Sequence, residues 1–503
     1  MPLKEADLSP IHRQIAEYDA RSLVLLAIEK LQAIRSMDPD QIRKWLPWNL
    51  LLIIKWAHRF SRLGEGKEAG DEDLIGLMNT VYALTDEARG PGDFGSIDLF
   101  LKNMAVQQFW VQTKSISGSD WSRQISLLRN LSQSSLIAKE FQRLTSISLD
   151  CFFELSLALT ARFMAQPGSR IDAEYFAPFA SVHSAEAVDK YLELISIDFK
   201  TARPYFEEAD RRVIDLDAKL WEQSALRRKP LLRLEEGREY ACYSPNVLYA
   251  GLAGIPCEVL KAGSPEFATA FGEPFEDYVG ICLKHVLENF LTERDLKVLF
   301  PAQGKKIVDY AVPYPAATVL FECKAVELSP HASVSPDPTV VRNHLRTSVI
   351  KAINQGLSVA NDLSASPPQG FAGSAKYWLI VVTLKDLFLG RSFLTDEIHP
   401  EVIDYARKSG IDASVLPPDR VYFLSLEDLE LLVAVSKFRR IPISEILDAA
   451  ARADAGMERK LLFRQHLDGH LHGIPMPSFV VEPFEQLCRK MQGYADPDCS
   501  ERR

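Results

Sequence analysis

The sequence lacks the features of secreted, membrane-spanning and disulfide-rich chains. Its seven cysteines are scattered over 503 residues without a C-x-x-C pair, which fits a reducing compartment better than a disulfide framework. The N-terminal stretch MPLKEADLSP has no apolar signal core, and the longest uncharged stretch, 240–257, is interrupted by glycine and proline. Neither segment suits an export signal or a continuous spanning helix. We therefore expect a cytoplasmic protein without membrane contact.

Positively charged residues are also fewer than negatively charged ones. The chain has 58 lysines and arginines against 68 aspartates and glutamates, a formal net charge of −10, and no lysine-rich tail. This balance excludes a general nucleic-acid coat protein, so any nucleic acid has to be held by a local patch. Hydrophobic residues make up 47% and charged residues 25%, which is globular composition and excludes fibrous, collagen-like or wholly disordered chains.

Two hydrophobic patterns divide the chain near residue 228. Up to that point apolar residues recur every three or four positions, as at Val24, Ile28 and Leu31, which predicts a succession of helices. Glycine and proline predict breaks at 88–96 and 166–170. No fixed repeat is present, so we assign 1–228 to an irregular, all-helical domain. We expect it to regulate the rest of the chain, to recruit a protein partner or to build a homo-oligomer.

Strands and helices alternate in the second half. Two short strands are predicted around Glu236 and Gly237. They are followed by a helix at 273–291, strands at 306–313 and 317–326, a helix at 339–363, a strand at 376–384, and a strand and helix within 420–437. This order predicts an α/β domain over 229–445, with its core at about 265–435. Residues 446–503 are predicted to form a helical and then irregular extension.

The stretch TVLFECKAV places two charged residues on one strand. If it alternates, Glu322 and Lys324 share a face, and Cys323 points to the opposite, apolar face. Burying such a pair without a purpose is costly. Twelve residues separate Asp309 from Glu322, and VPYPAAT between them is a plausible turn, so the two carboxylates are expected to face each other across a hairpin.

Two neighbouring carboxylates repel each other unless a cation lies between them. Magnesium or manganese suits oxygen ligands of this kind. Such an ion would neutralise charge on a phosphodiester and acidify a water molecule, while Lys324 positions the nucleophile or stabilises the phosphate oxygens. Upstream, Glu276 lies in the first turn of a predicted helix, beside its apolar stripe, and could be a third carboxylate. Gly280 could let that helix cross the sheet closely.

These elements together resemble the PD-(D/E)xK nuclease superfamily, which has the restriction-endonuclease-like fold. The match consists of the helix with Glu276, the strand KKIVDYAV with Asp309, the strand VLFECKA, and a following helix with Gln355. Asp309 follows Val308 rather than the proline of the motif. The E-x-K tripeptide also occurs at 65–67 and 458–460, so only the whole order of elements is specific.

The resemblance implies a mixed central sheet and a site in which metal ligands lie beside a catalytic lysine. Its metal ligands would be Asp309, Glu322 and the main-chain carbonyl of Cys323, with Glu276 assisting. Lys324 would be catalytic, and Gln355 would belong to the same site.

Each of these residues also has a structural interpretation. Glu276 could favour the helix dipole, Gln355 could belong to a solvated helix face, and Asp309, Glu322 and Lys324 could form a structural ion-pair network. The histidines at 466, 470 and 472 fit a surface loop better than a zinc site, because glycines interrupt them and no cysteine lies nearby.

From these patterns we expect a magnesium- or manganese-dependent nuclease. DNA is favoured over RNA because most relatives act on DNA, and a role in bacterial defence against foreign DNA follows only by family analogy. The alternative is a catalytically silent nuclease fold that acts as a binding or scaffold protein.

Overall fold

The fold combines a helical region with an α/β region. A computed structural model describes residues 5–38, 44–88, 97–112, 118–130, 134–213, 215–234, 239–300, 307–367, 376–456 and 459–495. The helices that precede residue 228 are α1 (Glu5–Ile15), α2 (Ala20–Ala33), α3 (Pro47–Phe60), α4 (Asp71–Ala88), α5 (Ile97–Gln112), α6 (Ser119–Ile125), α7 (Ser134–Thr145), α8 (Leu149–Ala165), α9 (Ala185–Ile195), α10 (Phe199–Asp210) and α11 (Leu216–Trp221).

Longer and shorter helices alternate with strands in the second half. They are α12 (Pro245–Gly263), α13 (Phe267–Ala270), α14 (Gly272–Val286), α15 (Glu293–Leu299), α16 (Pro330–Val334), α17 (Pro338–Leu345), α18 (Lys351–Ala365), α19 (Arg391–Phe393), α20 (His399–Ser409), α21 (Leu426–Arg439), α22 (Ile443–Ala455), α23 (Arg464–Leu471) and α24 (Ser478–Ala495). A wider helical turn at 346–350 joins α17 to α18, so the single predicted helix over 339–363 is close to the observed arrangement.

A small sheet joins the two halves of the chain. Its strands are β1 (Arg170–Ile171), β2 (Ser196–Asp198), β3 (Leu231–Arg233) and β4 (Tyr240–Cys242), in the order β1-β4-β3-β2. The two short strands predicted around Glu236 and Gly237 are β3 and β4, and they pair antiparallel; residues 235–238 lie outside the described residues. Strands β1 and β2 show that the prediction of an all-helical region over 1–228 is wrong. Of the two predicted breaks, 166–170 separates α8 from β1, and 89–96 lies outside the described residues.

The larger sheet is mixed and has five strands. They are β5 (Leu291–Thr292), β6 (Tyr310–Pro313), β7 (Thr318–Lys324), β8 (Tyr377–Thr383) and β9 (Val421–Ser425), hydrogen-bonded in that order. Strands β5, β6 and β7 pair antiparallel, whereas β7, β8 and β9 run parallel. The connection from β7 to β8 passes through α18, as a crossover between parallel strands requires.

Helices cover both faces of this sheet. Phe321 and its neighbours on one face pack with Phe275 of α14 and Leu429 of α21. Leu320 on the other face packs with Ile353 of α18. Because both faces are covered, β8 is buried along its whole length, and its residues are mostly apolar rather than alternating. Burial of one aromatic side chain such as Phe321 stabilises the fold by roughly 1.5–3 kcal/mol.

The helical region and the α/β region share a core. Trp121 of α6 belongs to the same buried cluster as Phe321 and Trp378. In the same interface Arg123 forms a buried, two-pronged ion pair with Glu430 of α21, at 2.8 and 2.7 Å. Tyr278 donates a further hydrogen bond of 2.7 Å to Glu430. The boundary predicted at residue 228 therefore does not separate two independently packed cores.

Helix α24 belongs to this packing as well. The side-chain hydroxyl of Ser122 in α6 accepts a hydrogen bond of 2.9 Å from the N–H of Phe484. Lys490 of α24 pairs with Glu154 of α8. The C-terminal extension predicted from residue 446 thus contains helices, of which α24 docks on the helical region and α23 contacts the α/β region through Arg464 and Asp428; residues 457, 458 and 496–503 lie outside the described ranges.

A helix that spans a membrane has to be both long enough and apolar enough. In the described part of the chain no single helix meets both criteria; one pair, Ser135–Thr145 and Leu149–Ala165, meets them only when taken together, and it is bent by 70°.

Candidate active site

The candidate site is built on the β6–β7 hairpin. Tyr310 pairs with Phe321 in the antiparallel register, and Asp309 immediately precedes β6, so it lies opposite Glu322. The main-chain N–H of Cys323 donates a hydrogen bond of 2.5 Å to Oδ2 of Asp309. The prediction that a hairpin brings Asp309 and Glu322 side by side is therefore confirmed.

Strand β7 carries its charged residues on the face of α18. Val319, Phe321 and Cys323 pack into the cluster that contains α14, which leaves Glu322 and Lys324 on the other face. Glu322 is 1% exposed, and its Oε1 forms an ion pair with Nζ of Lys324. Lys324 keeps 23% of its side chain exposed, so the ammonium group lies between the buried carboxylate and solvent.

Burial and mutual repulsion disfavour the charged forms of both carboxylates. Burial and the nearby charge of Asp309 raise the pKa of Glu322 to about 8, despite the opposing effect of Lys324. Burial also raises the pKa of Asp309, although the N–H of Cys323 and the charge of Lys324 work in the other direction. A bound cation would remove this penalty, because it favours the ionised form of both groups.

Lys324 keeps its proton in this environment. Burial alone would lower the pKa of the ammonium group, but the neighbouring Glu322 and Asp309 outweigh it and raise the pKa above its ordinary value. The side chain therefore presents a fixed positive charge beside the carboxylates at neutral pH.

Glu276 lies at the rim of the site rather than inside it. It is exposed on α14, the helix that packs on the opposite face of β7 from Glu322. Crowding by protein atoms and the charge of Asp309 nevertheless raise the pKa of Glu276 to about 7. The hydroxyl of Tyr310 donates a hydrogen bond of 2.9 Å to the main-chain carbonyl of Glu276, which fixes this part of α14 against the hairpin.

Gly280 has the role that its position predicts. A Cβ atom at residue 280 would lie 2.7 Å from the hydroxyl oxygen of Tyr310, so a larger residue would push α14 away from the sheet. The close approach of helix and hairpin brings Glu276 near the carboxylates.

Gln355 contacts the segment that leads into Asp309. Its Nε2 donates a hydrogen bond of 3.3 Å to the main-chain carbonyl of Ile307, and the side chain is half-buried on α18. Gln355 therefore lies on a partly solvated face of α18 and also contacts the hairpin. The contact supports the position of Asp309 rather than the reacting groups themselves.

The side chain of Cys323 is buried on the apolar face, as alternation predicts. Burial, followed by the charges of Asp309 and Glu322, raises the pKa of the thiol well above its ordinary value. The thiol is therefore protonated and unsuited to act as a nucleophile.

One acidic residue of this region escaped the sequence analysis. The charge of Glu293, at the start of α15, raises the pKa of both Glu276 and Asp309. The available signal was the capping box formed by Thr292 and Asp295, which marks a helix start directly after the edge strand β5. Periodicity had instead extended the preceding helix to residue 291, directly before this capping box.

The donor set suits a hard cation with two carboxylate ligands. Oε2 of Glu322 is buried and has no hydrogen-bond partner in the structure described, and Asp309 lies opposite it. Within the described ranges no group of three or more His, Cys, Asp or Glu side chains is arranged to hold a metal ion. Magnesium is commonly held by one or two carboxylates and retains several water molecules. Asp309, Glu322 and the Cys323 carbonyl therefore fit such an ion.

The three histidines near the C-terminus form no comparable centre. His466 lies on α23, with 6% of its side chain exposed, and pairs with Asp454 at 3.3 Å. The interpretation of this segment as a surface loop is wrong, because residues 464–471 are helical.

No protein-family model matches the sequence, and no curated protein matches it.

Proposed function

We propose that the protein is a metal-dependent nuclease that hydrolyses phosphodiester bonds, with DNA as the favoured substrate. The observation that carries the proposal is the pairing of Asp309 with Glu322 beside Lys324 at the edge of a buried hairpin. The buried, unpartnered Oε2 of Glu322 and the raised pKa values of both carboxylates support a cation at this position. The order of α14, the hairpin and α18 supports a restriction-endonuclease-like core.

Each side chain has a distinct task in this proposal. Asp309, Glu322 and the carbonyl of Cys323 hold a magnesium or manganese ion. When bound, that ion neutralises charge on the phosphodiester and makes a water molecule more acidic. Lys324 remains protonated and directs its ammonium group at the phosphate or the attacking water. Glu276, at the rim of the site, assists these residues.

The surrounding groups position these residues. Gln355 fixes the carbonyl of Ile307, two residues before Asp309. The helical region covers the α/β region through the Arg123–Glu430 interface. We assign it a regulatory role, exerted through a protein partner or a homo-oligomer. The bacterial defence role is proposed by analogy alone.

The experiment is a cleavage assay with the purified full-length chain. The substrates are linear and circular double-stranded DNA, single-stranded DNA and RNA, each with magnesium, manganese or a chelator. We expect metal-dependent cleavage by the wild type and by the control variant Glu186→Ala, because Glu186 is exposed on α9, far along the chain from the hairpin. Glu322→Ala should be inactive.

The alternative is a catalytically silent nuclease fold that binds nucleic acid or protein. The ion pair between Glu322 and Lys324 favours it, because that pair could be purely structural. Absence of cleavage with every substrate and both metals would support this alternative. Wild-type cleavage by Glu322→Ala would overturn the assignment of the site.

A further inference from the structure

A patch of positive charge lies at the opposite edge of the large sheet from the candidate active site. Strand β9 runs parallel to β7 and β8, and α21 follows β9 directly and returns along the sheet to end at Arg439. The chain after α21 lies by the amino end of β8, because Asp448 of α22 pairs with Lys376, the residue that precedes β8. Lys324 ends β7 at the carboxyl edge, so the length of the strands separates the two places.

Four exposed cations and one exposed aromatic ring form this patch. They are Lys284 in the last turn of α14 and, at the end of α21, the consecutive residues Lys437, Phe438, Arg439 and Arg440. The two helices meet at this end, since Nδ1 of His285 lies 3.5 Å from Nζ of Lys437. We call these five exposed residues the basic patch.

No carboxylate among the described residues forms an ion pair with the four cations. The guanidinium group of Arg439 instead donates hydrogen bonds of 2.9 and 2.7 Å to the main-chain carbonyls of His470 and His472, which fix its position. The exposed carboxylates of the adjoining segments also lie beyond ion-pair distance, namely Glu288, Glu445 and Asp468. The cations of the basic patch therefore remain available to an anionic partner.

Arg440 adopts a backbone conformation that favours glycine. Its φ and ψ angles are 57° and 38°, in the left-handed region, and its N–H donates to the carbonyl of Ser436 at the end of α21. Glycine is the usual residue at such a helix end, because a Cβ atom makes this conformation less favourable. A long cationic side chain at this position therefore costs stability, and costs of this kind are concentrated at functional sites.

The ring of Phe438 is available for stacking. It is 51% exposed, and the guanidinium group of Arg439 lies 5.4 Å from its centroid. An exposed ring among several cations is the combination with which proteins bind single-stranded nucleic acids, because a base stacks on the ring while the phosphates meet the cations. The bases inside a duplex offer no free face for such stacking.

We propose that the basic patch binds single-stranded nucleic acid. One base stacks on Phe438, and the neighbouring phosphates contact Lys437 and Arg440. Lys284 extends the path of the strand across α14. This site goes beyond the proposed function, because binding here requires neither the metal ligands nor Lys324.

The test measures binding separately from cleavage. Fluorescence anisotropy of the full-length chain, with a chelator present, follows the binding of labelled oligothymidine and oligouridine of about 16 nucleotides. We expect saturable binding of at least one of them, and the affinity should fall as the salt concentration rises. Duplex DNA of the same length should bind at least about tenfold more weakly.

Three variants test the residues of the patch. Phe438→Ala should bind about tenfold more weakly, whereas Tyr82→Ala, which removes an exposed ring of α4, should bind as the wild type does. Lys437→Gln should reduce the slope of log affinity against log salt by about 0.7; Arg62→Gln, at an exposed cation of the helical region, should leave the slope unchanged. Arg440→Gly should bind more weakly without lowering the midpoint of urea unfolding, because glycine suits the left-handed backbone. A purely structural role of Arg440 would not weaken binding.

Several outcomes would overturn the proposal. They are no saturable binding of either oligonucleotide, equal affinity of the wild type and Phe438→Ala, and duplex DNA binding as tightly as the single strands. Glu322→Gln should bind the oligonucleotide as the wild type does; loss of binding in that variant would place the strand at the hairpin instead. If the oligonucleotide binds as expected but the protein cleaves nothing, the basic patch stands and the proposed nuclease function fails.

Discussion

The main-chain N–H of Cys323 donates its hydrogen bond to Oδ2 of Asp309, so the central residue of the E-x-K tripeptide fixes the carboxylate of the opposite strand. The bond joins the backbone of β7 to the residue that precedes β6. It orients Asp309 toward Glu322 through the main chain of β7. Substitutions at Asp309 can therefore separate the geometry of the hairpin from the charge of the site.

The first prediction compares Asp309→Asn with Asp309→Ala. The amide oxygen of asparagine can still accept the hydrogen bond from Cys323, whereas alanine leaves that N–H unpaired at a cost of about 1–3 kcal/mol. Cleavage should fall about 100-fold or more in both variants, because each lacks a charged ligand. Urea unfolding should show that only the alanine variant is destabilised. Equal stability of the two variants would mean that the hydrogen bond is unimportant.

The second prediction concerns the cation at Lys324. Lys324→Ala should lower the cleavage rate by about 100-fold or more and reduce metal binding much less, because the ammonium acts on the phosphate or water rather than on the ion. Lys324→Arg should restore only part of the rate, since a planar guanidinium cannot occupy the place of a compact ammonium. Single-turnover cleavage and magnesium titration provide the two readouts. Full activity of the arginine variant would contradict a positional role.

The third prediction uses pH and does not depend on catalysis. The folded protein raises the pKa of Glu322 from 4.5 to about 8, so between these pH values it binds more protons at this residue than the unfolded chain does. The contribution of Glu322 to the free energy of unfolding is therefore present at low pH and is lost as the pH rises toward 8. Without divalent metal, Glu322→Gln should gain on the order of 4 kcal/mol relative to wild type between pH 5 and pH 8.5.

Urea unfolding of both proteins at the two pH values measures this change. Glu186→Gln is the control, because Glu186 is exposed on a helix surface, and its difference from wild type should stay constant. A difference for Glu322→Gln that is also independent of pH would show that burial of this carboxylate carries no such penalty.

The sequence predicted the hairpin better than the end of the helix before it. Alternation in TVLFECKAV and the turn residues before it determine which side chains share a face, and both are local properties. The apolar stripe of α14, by contrast, suggested a helix to residue 291, but the helix ends at Val286. Phe290 is apolar because it packs on Tyr310 from an extended segment, with ring centroids 5.6 Å apart. Periodicity alone cannot distinguish a ring that is buried by a helix from one that is buried by an extended segment.

Contacts between distant parts of the chain were not predictable from pattern. Arg123 and Glu430 are 307 positions apart, and each looks like an ordinary surface charge within its own helix. The parallel pairing of β2 with β3 likewise joins a predicted strand to a segment, Ser196–Asp198, that is too short to be recognised as one. Such contacts depend on how the helices assemble, which local propensity does not encode. They are the reason why the boundary at residue 228 was placed inside a shared core.

The fourth prediction tests the close approach of α14 to the hairpin. Gly280→Val should cost roughly 1–3 kcal/mol of stability, because a Cβ atom would lie 2.7 Å from the hydroxyl of Tyr310. It should also lower the cleavage rate by moving Glu276. Gly76→Ala is the matched control, since this helical glycine has no atom within 4 Å of an added Cβ, and alanine there should stabilise the chain by about 0.5–1 kcal/mol. Unchanged stability of Gly280→Val would contradict the observed approach.

The last prediction concerns a fragment that starts at Pro230. In the full chain, β3 pairs with β2, and Glu430, which is 0% exposed, is neutralised by Arg123. The fragment loses both partners, and an uncompensated buried carboxylate typically costs about 3–5 kcal/mol. We therefore expect the fragment to lack a cooperative unfolding transition by circular dichroism. In the full-length chain, Arg123→Met should be destabilised by about 3–5 kcal/mol, and adding Glu430→Leu should recover most of that loss, because the charge without a partner is removed. Cooperative unfolding of the fragment would show that the α/β region folds without the helices that cover it.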